Sequence, residues 1–182
     1  HTAGARVVIH YRNSAAPAAA LAAELCADRP HSATTVQGDL LDDASWPRLI
    51  DACVTFGGGL DILINNAAIF SAAPIVEIER ADYGRVFDIN VAGTVWPIRA
   101  AVPHFFEQGE GDIVIVASVA GLRGAGDEAV YAATKFAQVG LAGGLDRELR
   151  EKNIRVSTIC PGGTATEFAM GFGRTPDMPG LD

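Results

Sequence analysis

Cysteine is scarce in these 182 residues, long apolar runs are absent, and there is no block of positive charge. Cys26, Cys53 and Cys160 are odd in number and far apart, so they suggest neither a disulfide framework nor a metal-ligand motif. The histidines, His1, His10, His31 and His104, show no ligand spacing either, and no metal is expected. Nowhere is there an apolar stretch long enough to span a bilayer. With 14 basic and 22 acidic residues the formal charge is −8, which argues against nucleic acid and anionic membranes as partners. Reduced thiols and the lack of a span together give the expectation of a cytoplasmic protein. The chain also opens at His1 without an initiator methionine, and a strand-like run follows almost at once.

What is present is a globular composition, with 49% apolar and 20% charged residues, enough for a single domain over residues 1–182. Short β-branched runs at 6–10, 33–37, 60–64, 112–118 and 154–159 read as strands. Between them lie helix-length segments. Residues 15–27 are alanine-rich, with Pro17 in the first turn. In the next, Trp46, Leu49, Ile50, Cys53 and Phe56 recur at helical spacing behind a cap at Asp42 or Asp43, and Gly57-Gly58-Gly59 ends it. Residues 79–108 form a helix that Gly93, Pro97 and Pro103 are expected to break or kink. Residues 131–152 form the last, closed by Asn153 in the left-handed region. Strand and helix in alternation predict an α/β fold, a doubly wound parallel sheet covered by helices on both faces. Such sheets bind ligands beyond the carboxyl ends of their strands, and the polar and turn residues Arg12, Asp39, Asn65, Ser118 and Pro161-Gly162 all fall there.

Tyr131-Ala132-Ala133-Thr134-Lys135 carries the chemistry. Tyr131 and Lys135 are about one helical turn apart and share a helix face. An ammonium beside a phenol favours the phenolate, which tunes the phenol to give or take a proton at a carbonyl or alcohol oxygen. Ser118, at the end of a strand, could hold that oxygen. Taken singly, each of these residues has an ordinary explanation. Ser118 is then a strand-end cap, Asn65-Asn66 a turn, Asn90 a helix kink and Tyr131 with Lys135 a solvated pair.

In combination they resemble the short-chain dehydrogenase/reductases. The resemblance rests on Asn65-Asn66-Ala67-Ala68, Asn90 in Ile89-Asn90-Val91-Ala92-Gly93, Ser118, Tyr131-x-x-x-Lys135 and Pro161-Gly162-x-x-x-Thr166, in matching order and spacing. It implies a Rossmann-like sheet in three α/β/α layers, a nicotinamide dinucleotide and hydride transfer to a carbonyl. Tyr131 would be the general acid, and Lys135 would lower its pKa and bind the nicotinamide ribose. Ser118 would orient the substrate oxygen, and Asn90 would hold a water linking Lys135 to a proton relay. Asn65 and Ala67 would line the adenosine side, and Asp39 and Leu40 would meet the adenine. Pro161, Gly162, Thr164 and Thr166 would lie along the nicotinamide and pyrophosphate. Residues 164–182, rich in Gly and Pro, would form the substrate loop together with residues 120–129.

NADP(H) is expected over NAD(H). An acidic residue near the ribose accepts from its 2′-hydroxyl, whereas an arginine accommodates a 2′-phosphate. After the first strand stand His10-Tyr11-Arg12-Asn13-Ser14, with Arg12 as the clamp and Ser14 as its helper. The substrate expected is a ketone or alcohol, with 3-oxoacyl thioesters the commonest in such a family. Two alternatives stay open: pteridine reduction, suggested by residues 8–14 and 33–37 although pteridine reductases tend to carry Asp at the place of Ser118, and a non-catalytic nucleotide-binding member. The family's T-G-x-x-x-G-x-G turn, its first strand and its last strand are not found here. A fragment of a longer protein is therefore expected, with an unpaired edge beside the strand at 6–10 and weak cofactor binding of its own. Relatives assemble through helices equivalent to 79–108 and 131–152, so a homodimer or homotetramer is expected of the full-length protein.

Overall fold

A computed structural model describes residues 1–164 and Phe168. The elements alternate β1 (Val7–Tyr11), α1 (Ala15–Asp28), β2 (Ala33–Gln37), α2 (Ser45–Gly57), β3 (Ile62–Asn65), α3 (Arg80–Phe87), α4 (Gly93–Gln108), β4 (Gly111–Val116), α5 (Ala129–Leu149) and β5 (Ile154–Ile159). Each strand matches a β-branched run to within about two residues, the usual uncertainty of an element boundary. Asp42 rather than Asp43 prepares the start of α2. Its carboxylate accepts from the Ala44 N–H at 3.1 Å and from the Ser45 hydroxyl at 3.0 Å. Gly58 (φ 78°) and Asn153 (φ 58°) end α2 and the turn after α5 in the left-handed region, as their residue types predict.

All strand pairs are parallel, and every crossover contains a helix. The strands form two groups, β1-β2 and β3-β4-β5. Val7 lies opposite Ala33, Ile62 opposite Asp112, and Gly111 opposite Ile154. Among the described residues β1 pairs with β2 alone and β3 with β4 alone, so β1 and β3 each keep one unpaired edge. The main core lies between the three-stranded group and helices α2, α4 and α5, where Phe105, Ile113, Ile115 and Ile154 are wholly buried.

The parallel sheet with flanking helices is as expected. Among the described residues one face of the three-stranded group is only partly covered. Side chains alternate across a strand. Leu63, Ile113, Ile115 and Val156 go into the core, while Ile62, Ile64 and Ile159 on the opposite face are 50%, 61% and 51% exposed. One expectation is corrected, that for the long helical stretch. It is interrupted by a π-helical turn at Asp88–Ala92, and α4 then runs on through both Pro97 and Pro103. The cause is local. The Asn90 carbonyl accepts from the Thr94 hydroxyl at 2.8 Å and from Gln138 Nε2 at 2.9 Å, so side chains serve a carbonyl that would otherwise depend on the helical ladder.

Gly111 sets how closely α4 approaches β4. A Cβ there would stand 2.4 Å from ring carbons of the wholly buried Phe105. Gly111→Ala is therefore expected to destabilise the fold by about 1–3 kcal/mol, the usual range for overpacking. Denaturant midpoints of the two proteins test this, and equal midpoints would contradict the placement of α4.

Candidate active site

The site grows from the tip of β4. The Ala117 N–H donates to the Ile159 carbonyl at 2.8 Å, so the parallel register persists for one residue past the strand. Ser118 is in extended backbone and caps a short 3-10 turn, Val119–Gly121, its Oγ accepting from the Ala120 N–H at 3.1 Å. The Val119 N–H donates to the Pro161 carbonyl at 2.9 Å, which ties this turn to the Pro161-Gly162 segment beyond β5. On its other side the turn rests on α5. A Cβ on Gly121 would come within 2.7 Å of the Lys135 carbonyl oxygen, so only glycine allows this approach.

Tyr131 and Lys135 occupy the first turns of α5 and are both buried, 5% and 2% exposed. The Lys135 Nζ lies 5.7 Å from the centre of the Tyr131 ring, and the ring meets Phe70 edge-on at 4.9 Å. Phe168 stands 6.5 Å from the Tyr131 ring, which brings one residue of the expected substrate loop to the site. Lys135 donates to the Val116 carbonyl at 3.1 Å and to Gln138 Oε1 at 2.9 Å. Its ammonium is thus anchored at the strand tip from which Ser118 departs. Burial pushes its pKa down from the ordinary lysine value to about 8, and Cys160 partly opposes this. Ser118, Tyr131 and Lys135 therefore gather around one strand end.

Asn90 is wholly buried in the π-helical turn behind them. Its Oδ1 accepts from the Ile69 N–H at 2.8 Å, and its Nδ2 donates to the Ile69 carbonyl at 2.9 Å and to Thr134 Oγ1 at 3.1 Å. The side chain pins the segment that follows Asn65-Asn66-Ala67-Ala68. Thr134 in turn donates to the Tyr131 carbonyl at 2.7 Å. Sequence reasoning missed Thr94, Thr134, Gln138 and Phe70. The available signal was a set of polar residues at helical intervals from Asn90 and Lys135, but spacing alone did not show that they are buried.

The residues expected to hold a dinucleotide line the other strand tips. Arg12 and Asp39, at the ends of β1 and β2, are partly exposed and ion-paired through Arg12 Nε at 3.1 Å. Asp39 also accepts from the Leu41 N–H at 3.0 Å, and Leu40 lies close to the position a Cβ on Gly93 would take, 3.4 Å away. Ser14 precedes α1, and its side chain makes no capping bond. Asn65 ends β3 with its side chain buried, and its Nδ2 has no hydrogen-bond partner among the described residues. An orphaned buried donor at a strand tip suits a ligand acceptor, so the residues present fit the adenosine side of a dinucleotide. Ala67, Gly162 and Thr164 are exposed, Pro161 is half-buried, and Thr166 lies outside the described residues. Among the described residues no helix is long and apolar enough to cross a membrane.

Comparison with known proteins bears on the family and the fold. A family model described as short chain dehydrogenase matches residues 1–177. A sorbitol dehydrogenase of Cereibacter sphaeroides is 41% identical over 160 residues, covering 87% of this chain and 60% of that protein. A 3-alpha-(or 20-beta)-hydroxysteroid dehydrogenase of Mycobacterium tuberculosis is 39% identical over 143 residues, covering 79% of this chain and 54% of that protein. Among solved structures, a gluconate 5-dehydrogenase from Burkholderia cenocepacia in complex with NADP and tartrate superposes with a TM-score of 0.85 at 30% identity, covering 93% of this chain and 66% of that one. The chain thus spans little more than half the length of the two curated relatives.

The buried lysine makes stability depend on pH with a definite sign. Its folded pKa of about 8 lies below the ordinary lysine value of 10.5, so between these values the unfolded chain binds a proton that the folded one has lost. Stability should therefore rise with pH across that window by up to about 3 kcal/mol, relative to a Lys135→Met variant that lacks the titration. Denaturant unfolding of both proteins from about pH 7 to about pH 10.5 measures the difference, and parallel pH profiles would contradict the burial of Lys135.

Proposed function

The chain belongs to the short-chain dehydrogenase family of oxidoreductases, and from that premise we propose that the protein interconverts a secondary alcohol and its ketone with NADP(H). The observation that carries the reading is the Lys135 ammonium anchored on the Val116 carbonyl, one helical turn from Tyr131 and beside the Ser118 turn. A bound nicotinamide dinucleotide supplies the hydride in reduction and takes it up in oxidation. In reduction Tyr131 delivers its hydroxyl proton to the substrate oxygen, and in oxidation the phenolate recovers it, so charge and atoms balance at the carbon–oxygen bond. Lys135 favours the phenolate left behind. Because Ser118 Oγ already accepts from the Ala120 N–H, its own proton is left to donate to the substrate oxygen. Asn65, Ala67, Asp39 and Leu40 would hold the adenosine end, and Pro161, Gly162, Thr164 and Thr166 the nicotinamide end.

The preference for NADP(H) rests on Arg12. Asp39 engages its Nε, and the two outer guanidinium nitrogens have the planar geometry that suits a 2′-phosphate. The gluconate 5-dehydrogenase structure, which holds NADP, supports the same choice. Sorbitol, hydroxysteroids and gluconate, the compounds in the relatives' names, each carry secondary alcohols, and this sets the substrate class proposed. The exposed aromatic side chains Trp96, Phe106 and Phe136 on α4 and α5 support assembly with a second copy through these helices.

A panel of secondary alcohols and ketones, 3-oxoacyl thioesters included, assayed with NADPH and with NADH tests the reading. Tyr131→Phe is expected to lower turnover by about 10²–10⁴-fold, the usual contribution of a positioned acid, while cofactor binding persists. Retained turnover in this variant would remove Tyr131 from the chemistry and favour a non-catalytic member. Arg12→Ala should raise KM for NADPH about tenfold and leave NADH nearly unchanged, because only the former carries the phosphate.

A further inference from the structure

Gln138 is a buried polar side chain with no part in the hydride or proton transfer proposed above. It lies on α5 three residues after Lys135 and is 1% exposed. Its Oε1 accepts from Lys135 Nζ at 2.9 Å. Its Nε2 donates to the Asn90 carbonyl at 2.9 Å and to Thr94 Oγ1 at 2.8 Å. An ammonium has only protons to offer and a backbone carbonyl only lone pairs, so the amide fits one way round and a flipped amide would set donor against donor. The Thr94 hydroxyl also donates to the Asn90 carbonyl, at 2.8 Å, so two donors occupy that oxygen's two lone pairs.

We propose that Gln138 is a positioning residue of the reaction centre, holding the Lys135 ammonium at the tip of β4 and making directly, through its side-chain amide, the link between Lys135 and Asn90 that the family resemblance assigns to water. This rests on the dehydrogenase reading above. A carboxamide is not a proton carrier as water is, since its N–H and C=O ends do not readily exchange roles. Lys135 therefore serves Tyr131 as a fixed charge, and its protons do not leave through Asn90. Among the described residues, the titratable groups facing Lys135 are Tyr131, whose ring lies 5.7 Å from Nζ on the same helix, and Cys160 beyond β5. Neutral groups face it from the other elements: the Val116 carbonyl from β4, and Asn90 and Thr94, through Gln138, from the π-helical turn and α4.

Two substitutions of similar length separate positioning from bulk. Gln138→Met removes the acceptor from the ammonium, and Gln138→Glu replaces it with an anion. Read by NMR of protein carrying ¹³C-labelled lysine, the Lys135 titration is expected to fall by about one pH unit in the first and to rise by about one in the second, since loss of an acceptor disfavours the charged form and an opposite charge favours it. In Gln138→Met the Tyr131-dependent limb of kcat/KM for alcohol oxidation should move to higher pH, with KM for the cofactor within about twofold of the parent. A merely structural loss would lower the rate without moving the limb and would not move Lys135 in opposite directions. An unmoved limb with an unmoved titration, or two shifts of the same sign, overturns the proposal. Should Gln138→Met fail to fold, the Gln138→Glu titration decides alone, a rise supporting the proposal and no change overturning it. A parent protein that turns over no alcohol or ketone sinks the dehydrogenase reading and this proposal with it, whereas an active parent whose limb ignores Gln138 sinks only the latter.

Discussion

A lysine charge buried at the end of a β-strand is the constraint around which this structure is arranged. Removing an ammonium from water is costly unless acceptors replace the lost hydration. Lys135 obtains them from two directions, the Val116 carbonyl of β4 and the Gln138 side chain of its own helix. Neither acceptor carries a formal charge. The ammonium is therefore hydrogen-bonded without being neutralised, and its field remains available to the phenol one turn away. A carboxylate in the same place would hold the lysine more firmly and offset its charge.

The surrounding backbone supports this arrangement through irregular geometry. The π-helical turn between α3 and α4 turns the Asn90 carbonyl toward Gln138 and its side chain toward Ile69. A regular helix would commit that carbonyl to its own ladder. The short turn after Ser118 presses on α5 at Gly121, where a methyl group would meet the lysine backbone. Thr134 links both parts, accepting from Asn90 and donating to the Tyr131 carbonyl. Strand β4, the start of α4 and the first turns of α5 are thus held together by polar contacts, with the apolar core of Phe105, Ile113 and Ile115 beneath them. The core fixes the elements relative to one another, and the polar network fixes side chains to within hydrogen-bond tolerance, the tolerance that the proposed proton transfer requires.

The side proposed to hold the dinucleotide is organised differently. Its residues sit in loops at the ends of β1, β2 and β3, are mostly exposed, and make few contacts with one another beyond the Arg12–Asp39 pair. Exposed ion pairs contribute little to stability, so that pair can rearrange around a ligand at small cost. Asn65 is the exception. Its buried amide keeps a donor without a partner among the described residues, a feature that a folded chain rarely retains without a use.

The order of elements, their parallel arrangement and the positions of Ser118, Tyr131 and Lys135 at strand and helix ends were legible from residue types. Periodicity distinguishes strand from helix, and the Tyr-x-x-x-Lys interval places both side chains on one helical face. The family followed from several such motifs in register. Other features were not legible. Leu63 and Ile64 are equally apolar, but only the packing of α4 and α5 decides that one enters the core and the other faces outward. Pro97 and Pro103 suggested breaks where the helix runs on, because the interruption arises from contacts that Asn90 makes with residues 44 and 48 positions away. Gln138 is the clearest case: its composition and spacing are those of any surface glutamine. By itself the sequence determined which chemical groups are present and on which local element each lies. Their burial, and hence the depressed lysine pKa and the one-way amide, came from tertiary contacts between distant segments, since desolvation belongs to the packed assembly rather than to any single stretch of chain.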